Sequence, residues 1–221
     1  MMEKSIEVHN LTVSYHSKPV LWDVDFSLPT GKIVGIVGPN GSGKTTMLKT
    51  IMGLMKPDSG YTEIFGQPLD NVRERVSYVP QRESVDWDFP ADVMDVVLMG
   101  RYRKNNLFRR ISKEDKRIAT EALEKVNLLE FAHRQISQLS GGQQQRVFIA
   151  RSLAQQADIY LMDEPFVGVD IQGLQGGLER LSVPTIGAAA PWKPSPFGPD
   201  LSFRRFGASP AARHCGAPAS V

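Results

Sequence analysis

Hydrophobic and polar positions alternate at the start of the chain in the way that half-buried strands require. Two segments follow this pattern, Ile6 to Val13 and Val24 to Leu28. The turn residues Pro29-Thr30-Gly31 then lead into an almost unbroken apolar run, Lys32 to Gly38. The alternating segments predict an antiparallel N-terminal part, and the continuous run predicts a buried strand.

A helical spacing follows the buried strand. It extends from Lys44 to Met52, and Gly53 lies where a helix would end. The order is therefore strand, glycine-rich loop and helix. The apolar positions that define the helix are Met47, Leu48, Ile51 and Met52.

The middle of the chain returns to strands and then becomes helical. Tyr61 to Gly66 and Arg75 to Gln81 have the composition of strands, and the region from Asp92 to about Phe131 has helical character. A second helix is expected from about Gly141 to Ala154, after which Asp158 to Pro165 resembles another buried strand. This arrangement predicts a helical lobe, at about 90–155, inserted between strands of a sheet.

One helix start within this lobe has a specific signal. Ser112 is followed three residues later by Asp115, which resembles a capping box. The apolar positions after it lie on one helix face. They are Ile118, Ala122, Val126 and Leu129.

Charge and cysteine content narrow the class of protein only slightly. The 26 basic and 24 acidic residues leave a formal charge of +2, which does not indicate a nucleic-acid partner. Cys215 is the single cysteine, so no disulfide can form within the chain and the composition suits a reducing cytosol. The N-terminus lacks the apolar core of a signal peptide. We therefore expect any membrane association to be peripheral.

The strongest chemical signal is Gly38 to Thr45, GPNGSGKT, which fits the phosphate-loop pattern G-x-x-x-x-G-K-[ST] between a strand and a helix. Glycines let backbone N–H groups turn toward phosphate, Lys44 reaches the β- and γ-phosphate oxygens, and Thr45 offers a hydroxyl to Mg²⁺. The alternative, an ordinary glycine-rich turn, requires neither the lysine nor the hydroxyl. The predicted ATP-binding residues here are Gly38, Pro39, Asn40, Gly41, Ser42, Gly43, Lys44, Thr45 and Thr46.

A second signal is the pair of carboxylates at the end of the strand Ile159 to Met162. Asp163 can hold the Mg²⁺ shell, and Glu164 can act as a general base on the attacking water. Two acids at this position could also form a solvated strand end. The upstream phosphate loop favours the catalytic interpretation.

The stretch Leu139 to Leu153, LSGGQQQRVFIARSL, resembles the signature motif and helix of ABC-type ATPase subunits. The resemblance implies an α/β fold with a P-loop NTPase core. It also implies a dimer, most simply of two identical chains, in which each signature contacts the ATP held by the other loop. The signature residues are Ser140, Gly141, Gly142 and Gln143.

Further positions match the family one by one. Tyr15 resembles the aromatic residue that stacks on adenine, although a plain strand-edge aromatic is a comparable interpretation. Gln81 resembles the glutamine that contacts Mg²⁺ and the attacking water, so it is both a catalytic and a metal-site candidate. Asp170 resembles the aspartate that contacts the other protomer. The metal candidates are thus Thr45, Gln81 and Asp163.

The cargo is suggested by the region Val85 to Arg110, which resembles ATPase subunits of importers for manganese, zinc or chelated iron. In that family the region receives integral membrane permease subunits, so the chain is expected at the cytoplasmic face of the membrane. Packing within the helical lobe is the alternative role for its apolar residues. The four histidines show no ligand spacing, so the Mg²⁺ of ATP is the expected metal.

The pattern changes after Asp170. Residues 183–221 contain 7 Pro, 4 Gly and 8 Ala without a sustained period, which predicts a disordered or non-native tail behind an ATPase domain at 1–182. The resemblance implies a further strand ending in a histidine, and no such strand is expected here, since no apolar run precedes His214. An alternative function is therefore a truncated or frameshifted nucleotide-binding module with little or no ATPase activity.

Overall fold

The computed structural model describes residues 4–15, 18–102, 110–164, 185–189 and 202–205. Two long antiparallel strands open the fold, β1 (Lys4–Tyr15) and β2 (Lys18–Pro29). A third strand, β4 (Ser59–Ile64), pairs with the other edge of β1 and gives the order β2-β1-β4. The alternation along β1 buries every apolar side chain on one face, as predicted: Ile6, Val8, Leu11 and Val13.

A parallel sheet forms the centre of the molecule. Its order is β5-β6-β7-β3-β8, and every described pairing within it is parallel. Buried parallel strands carry apolar residues without alternation, which is the pattern of the runs before the glycine loop and before the two carboxylates. The strands are β3 (Val34–Val37), β5 (Val76–Val79), β6 (Ile159–Asp163), β7 (Thr185–Ala189) and β8 (Ser202–Arg205).

The prediction of a disordered or non-native tail is wrong for β7 and β8, although neither strand ends at a histidine. The backbone of β7 lies between β6 and β3, and β8 pairs with the other edge of β3. A central parallel strand needs only a short uncharged run, and Thr185–Ala189 has one, so a search for sustained periodicity overlooks it. The rest of residues 183–221 lies outside the described residues, and the domain division at 182 stays a prediction.

Five helices accompany the two sheets in the described part of the chain. The first follows the glycine loop, and the third, fourth and fifth pack together as the helical lobe between β5 and β6. Among the described residues, no helix is both long enough and apolar enough to cross a membrane. The helices are α1 (Lys44–Ile51), α2 (Leu69–Val72), α3 (Val93–Leu98), α4 (Lys113–Lys125) and α5 (Gly141–Gln155).

The capping box of α4 is present as predicted. The Asp115 backbone N–H donates to Ser112 Oγ at 3.1 Å, and the Ser112 N–H donates to Asp115 Oδ2 at 3.0 Å. Two otherwise unpaired backbone donors at the helix start are thereby satisfied, which fixes where α4 begins.

Two hydrophobic cores lie on opposite sides of β6. Ile159 and Leu161 belong to the core that includes α1 and the antiparallel sheet, whereas Tyr160 and Met162 belong to the core of the helical lobe. Successive side chains of a strand point to opposite faces, so this five-residue strand is shared by both cores. It ends at Asp163, which is also fully buried.

Candidate functional site

The glycine-rich loop between β3 and α1 is a tight turn. The Ser42 N–H donates to the Pro39 carbonyl at 3.2 Å, and Gly41 and Gly43 have φ values of 78° and 89°. A Cβ at Gly43 would lie 2.7 Å from Leu21 Cδ2, so a larger residue would be both strained and crowded there. The loop geometry therefore requires glycine at this position.

The side chain of Lys44 turns back over this loop. Its Nζ donates to the carbonyl oxygens of Gly38 and Pro39, each at 3.0 Å, and the residue is only 7% exposed. Because Lys44 is the first residue of α1, its ammonium adds to the positive end of the helix dipole. The loop thus presents concentrated positive charge suited to an anion.

Thr45 and Asp163 place a hydroxyl and a carboxylate side by side. Thr45 Oγ1 donates to Asp163 Oδ1 at 3.0 Å, and the Tyr78 hydroxyl is 3.4 Å from Asp163 Oδ2. Burial raises the pKa of Asp163 above its usual range, although the hydrogen bond from Thr45 opposes this. Burial also raises the pKa of Tyr78, and the charge of Asp163 adds to that effect.

This oxygen pair fits Mg²⁺. The ion prefers oxygen ligands and is usually held by one or two protein groups together with substrate phosphates. The described residues contain no cluster of three or more His, Cys, Asp or Glu that could hold a metal without such help. Thr45 and Asp163, next to the phosphate loop, are consistent with that shared mode of binding.

Gln81 and Glu164 meet at the carboxyl ends of neighbouring strands. Gln81 Nε2 donates to Glu164 Oε2 at 2.9 Å, and Glu164 has a left-handed backbone with φ 48°. The two residues follow β5 and β6, which pair in parallel, so their polar ends reach the same edge of the sheet. The sequence prediction named both residues but did not anticipate this direct contact.

A cavity of about 540 Å³ collects most of these groups. Tyr15 lines it and is 42% exposed, so its ring is accessible to a ligand. Gly38, Pro39, Ser42 and Asp163 are part of the same loop and strand end without lining the space. The lining residues are Tyr15, Val20, Asn40, Gly41, Gly43, Lys44, Thr45, Thr46, Gln81 and Glu164.

The signature residues lie elsewhere, at the start of α5. The Ser140 N–H donates to Gln143 Oε1 at 2.8 Å, and the Gln143 N–H donates to Ser140 Oγ at 3.4 Å, which completes a second capping box. Among the described residues that line the cavity, none comes from Ser140, Gly141, Gly142 or Gln143. The chain does not bring its own signature to its own loop. Asp170 and His214 lie outside the described residues.

A larger cavity, of about 690 Å³, contains none of the predicted site residues. It lies between residues 70–78 and the helical lobe, where Met99, Tyr102 and Arg151 line it. Met99 and Tyr102 are 45% and 57% exposed, so this cleft has apolar groups open to the surface. The candidate phosphate and Mg²⁺ residues line or adjoin the smaller cavity, so we assign the nucleotide site to that one.

Sequence reasoning missed Arg82. Its guanidinium donates to the side-chain oxygen of Gln144 on α5, which connects the segment after β5 to the signature helix. The sequence around Arg82 does not indicate this role, because an arginine next to Gln81 could equally be exposed to solvent or bonded to another segment.

Comparison with known proteins agrees with this geometry. A family model described as "ABC transporter" matches residues 21–167. The manganese transport system ATP-binding protein MntB of Bacillus subtilis (strain 168) is 58% identical over 165 residues, covering 75% of this chain and 66% of MntB. The zinc transport system ATP-binding protein TroB of Treponema pallidum (strain Nichols) is 57% identical over 166 residues, covering 75% of this chain and 62% of TroB.

The chain therefore spans about two thirds or less of the length of these two relatives. Among solved structures, a metal-chelate type ABC transporter in an inward-facing conformation matches with a TM-score of 0.70 at 30% identity. That match covers 85% of this chain and 73% of the transporter chain.

Proposed function

The chain belongs to the ABC transporter ATP-binding family, and from that premise we propose that it binds and hydrolyses ATP with Mg²⁺ to power an importer. The observation that carries the proposal is the cavity in which Lys44, Thr45 and Glu164 converge, with Asp163 beside it. The names of its relatives favour a divalent metal ion, manganese or zinc, as the cargo, and the metal-chelate transporter supports a metal chelate, for which we keep an iron chelate as the alternative.

The loop residues bind and orient the phosphates. Glycine at positions 41 and 43 permits the backbone turn. The positively charged ammonium of Lys44 binds the β- and γ-phosphate oxygens. Tyr15, which lines the cavity and is partly exposed, would stack on adenine. Together these contacts fix the γ-phosphate before the reaction, which is the main protein contribution to phosphoryl transfer.

Thr45, Asp163 and Gln81 would hold Mg²⁺, which when bound neutralises charge on the phosphate oxygens. The Thr45–Asp163 hydrogen bond orients both oxygens in advance. Glu164 is the general base: it accepts the proton of the attacking water. Gln81, which donates to Glu164, keeps that carboxylate oriented toward the cavity.

The active form is a dimer of this chain. Ser140, Gly141, Gly142 and Gln143 lie away from their own cavity, so they are available to the nucleotide of a second copy, and Asp170 serves the same interface. The permease subunits dock at the cleft lined by Met99 and Tyr102, whose exposed apolar side chains support a protein contact. In this proposal the subunit is peripheral, at the cytoplasmic face of the membrane.

Glu164→Gln tests the proposal directly. The substitution keeps the hydrogen-bonding shape but removes the base, so we expect ATP to bind while the steady-state hydrolysis rate falls by a factor of about 10² or more. The matched control is Glu130→Gln on the exposed surface of the helical lobe, which should hydrolyse ATP at the unchanged rate.

Turnover at the unchanged rate by Glu164→Gln would show that another group is the base. Failure of the unsubstituted chain to bind ATP would refute the proposed function as a whole, whereas binding without hydrolysis would favour a nucleotide-binding module without catalysis. Uptake of radioactive manganese, zinc and iron chelate, in cells with and without the protein, distinguishes the cargoes.

A further inference from the structure

We propose that Arg82 is a positioning residue that holds the start of α5, and with it Ser140, in a fixed relation to the Gln81–Glu164 pair. The proposal concerns a contact between two parts of one chain. It rests on the proposed function, because Ser140 matters there only to the ATP of a second copy.

The guanidinium of Arg82 is held by a buried amide. Its Nε and Nη2 donate to Gln144 Oε1 at 3.3 and 3.0 Å, and Gln144 is only 4% exposed. The other end of that amide, Gln144 Nε2, donates to the Ile136 carbonyl at 3.1 Å. Arg82 therefore contacts a residue that connects the first turn of α5 to the segment before Ser140.

Gly141 leaves room for this guanidinium. A Cβ at Gly141 would lie 2.8 Å from Arg82 Nε and 2.9 Å from Arg82 Cζ. Gly141 is not among the glycines with positive φ, so its backbone conformation does not call for glycine. The side chain of Arg82 therefore passes directly over Gly141, and a Cβ there would displace the guanidinium.

The backbone at Arg82 is fixed as well. Trp87 Nε1 donates to the Arg82 carbonyl at 3.0 Å, and the Trp87 ring packs edge-on against Phe148 of α5 at 5.0 Å between centroids. Two separate points of α5 thus contact the segment that carries Arg82. A rigid attachment of this kind transmits a displacement instead of absorbing it.

The residue immediately before Arg82 contacts the candidate catalytic base. Gln81 donates to Glu164, so consecutive residues reach the nucleotide cavity and the signature helix. Their Cα atoms are about 3.8 Å apart across one trans peptide bond, so the backbone positions of Gln81 and Arg82 constrain each other. Arg82 consequently couples the geometry of the chain's own site to the surface that completes the neighbour's site.

The test uses Arg82→Met in the full chain, because methionine keeps much of the aliphatic stem and removes all donors. We expect the affinity of one chain for a fluorescent ATP analogue to change by less than twofold. In the Glu164→Gln background, ATP-driven self-association should weaken at least tenfold, and kcat with Glu164 intact should fall at least tenfold. Arg82→Lys, which keeps one donor group, should recover part of both losses.

The control is Arg134→Met, which removes an exposed arginine of the same lobe that stacks on Phe131. It should leave nucleotide affinity and self-association unchanged. Gln144→Leu gives an independent test, because it removes the acceptor of the guanidinium and leaves Ser140, Gly141, Gly142 and Gln143 unchanged, and it should weaken self-association selectively even if Arg82→Met does not fold.

Self-association and kcat within twofold of the parent in Arg82→Met, or normal self-association in Gln144→Leu, would overturn the proposal. Equal losses of nucleotide affinity, self-association and thermal stability in Arg82→Met would also overturn it, because they would indicate a purely structural role. Failure of the proposed function is recognised separately: the parent chain itself would then neither bind ATP nor associate.

Discussion

Asp163 is a carboxylate without solvent exposure at the end of a central strand. Burial raises its pKa, opposed in part by the hydrogen bond from Thr45, the charge of Lys49 and the hydrogen bond from Tyr78. A raised pKa in the folded state means that the folded chain binds this proton more tightly than the unfolded chain. The stabilising contribution of the protonated group is therefore complete at low pH and is lost as pH rises through the folded pKa.

We therefore expect Asp163→Asn to increase the free energy of unfolding near pH 8 by on the order of 1 kcal/mol. The same change should strongly reduce ATP hydrolysis, because a neutral amide oxygen binds Mg²⁺ more weakly than the carboxylate it replaces. Urea unfolding at pH 8 and at pH 5 measures the stability of both chains.

The difference in stability should shrink at the lower pH, since a larger fraction of the parent chains then carries a proton on Asp163. The exposed Asp88→Asn is the control and should show no such pH dependence. A difference that grows toward pH 5 would contradict the sign of the argument.

Single residues of the phosphate site could be predicted from the sequence because their chemistry is encoded locally. Lys44 and Thr45 belong to one short motif, and Asp163 and Glu164 are adjacent at a strand end. The Arg82–Gln144 contact joins residues 62 positions apart, so no local sequence pattern predicts it. The Gln81–Glu164 hydrogen bond was likewise missed because it depends on the pairing of β5 with β6.

At the scale of elements, α4 is the clearest case of a helix whose start is set by its sequence. Ser112 and Asp115 cap it reciprocally, and Asp115 also accepts from Arg101 at 3.1 Å in a nearly buried ion pair. Arg101 donates in addition to the Ala154 carbonyl on α5. The cap of α4 is therefore also a contact between helices of the lobe.

Ser112→Ala should lower the free energy of unfolding by about 0.5–2 kcal/mol, because the backbone N–H of Asp115 loses its acceptor. Urea denaturation measures this cost. Thr120→Ala on the same helix is the control: its hydroxyl donates to the Lys116 carbonyl one turn earlier, and we expect a change below about 0.5 kcal/mol. Equal costs for the two substitutions would show that the cap contributes nothing specific.

The strands and long helices were predicted well where the side-chain pattern is strong. β1 and β2 extend beyond the predicted limits at both ends because their pairing continues through polar residues. β7 and β8 were missed, since a short strand in a parallel sheet is specified by its neighbours as much as by its own residues.

At the scale of the whole molecule, the phosphate loop and the helical lobe are supported by different hydrophobic cores. The phosphate loop continues into α1, whose apolar residues Met47 and Leu48 belong to the core beside the antiparallel sheet. Leu123, fully buried in α4, belongs to the core of the helical lobe. Damage to one core therefore need not disturb the ligands supplied by the other.

Leu123→Ala should destabilise the chain by about 2–5 kcal/mol through the cavity it leaves. ATP should still raise the melting temperature of the variant, since the loop of the other core is intact. Differential scanning fluorimetry with and without Mg-ATP measures both effects. The control is Leu129→Ala, which is 39% exposed in the parent and should cost far less. Loss of the ATP-induced shift in Leu123→Ala would show that the two cores are not separable.

The sharing of β6 between the cores has a consequence for how the strand finds its register. If a strand has one polar face, a one-residue shift in its pairing register exposes its apolar side chains, which disfavours the shift. β6 is buried on both faces, so its apolar side chains do not select the register in this way. Asp163 selects it instead, because a shifted register would move its carboxylate away from Thr45 and Tyr78. The proposed magnesium ligand thus also fixes the register of β6 within the parallel sheet.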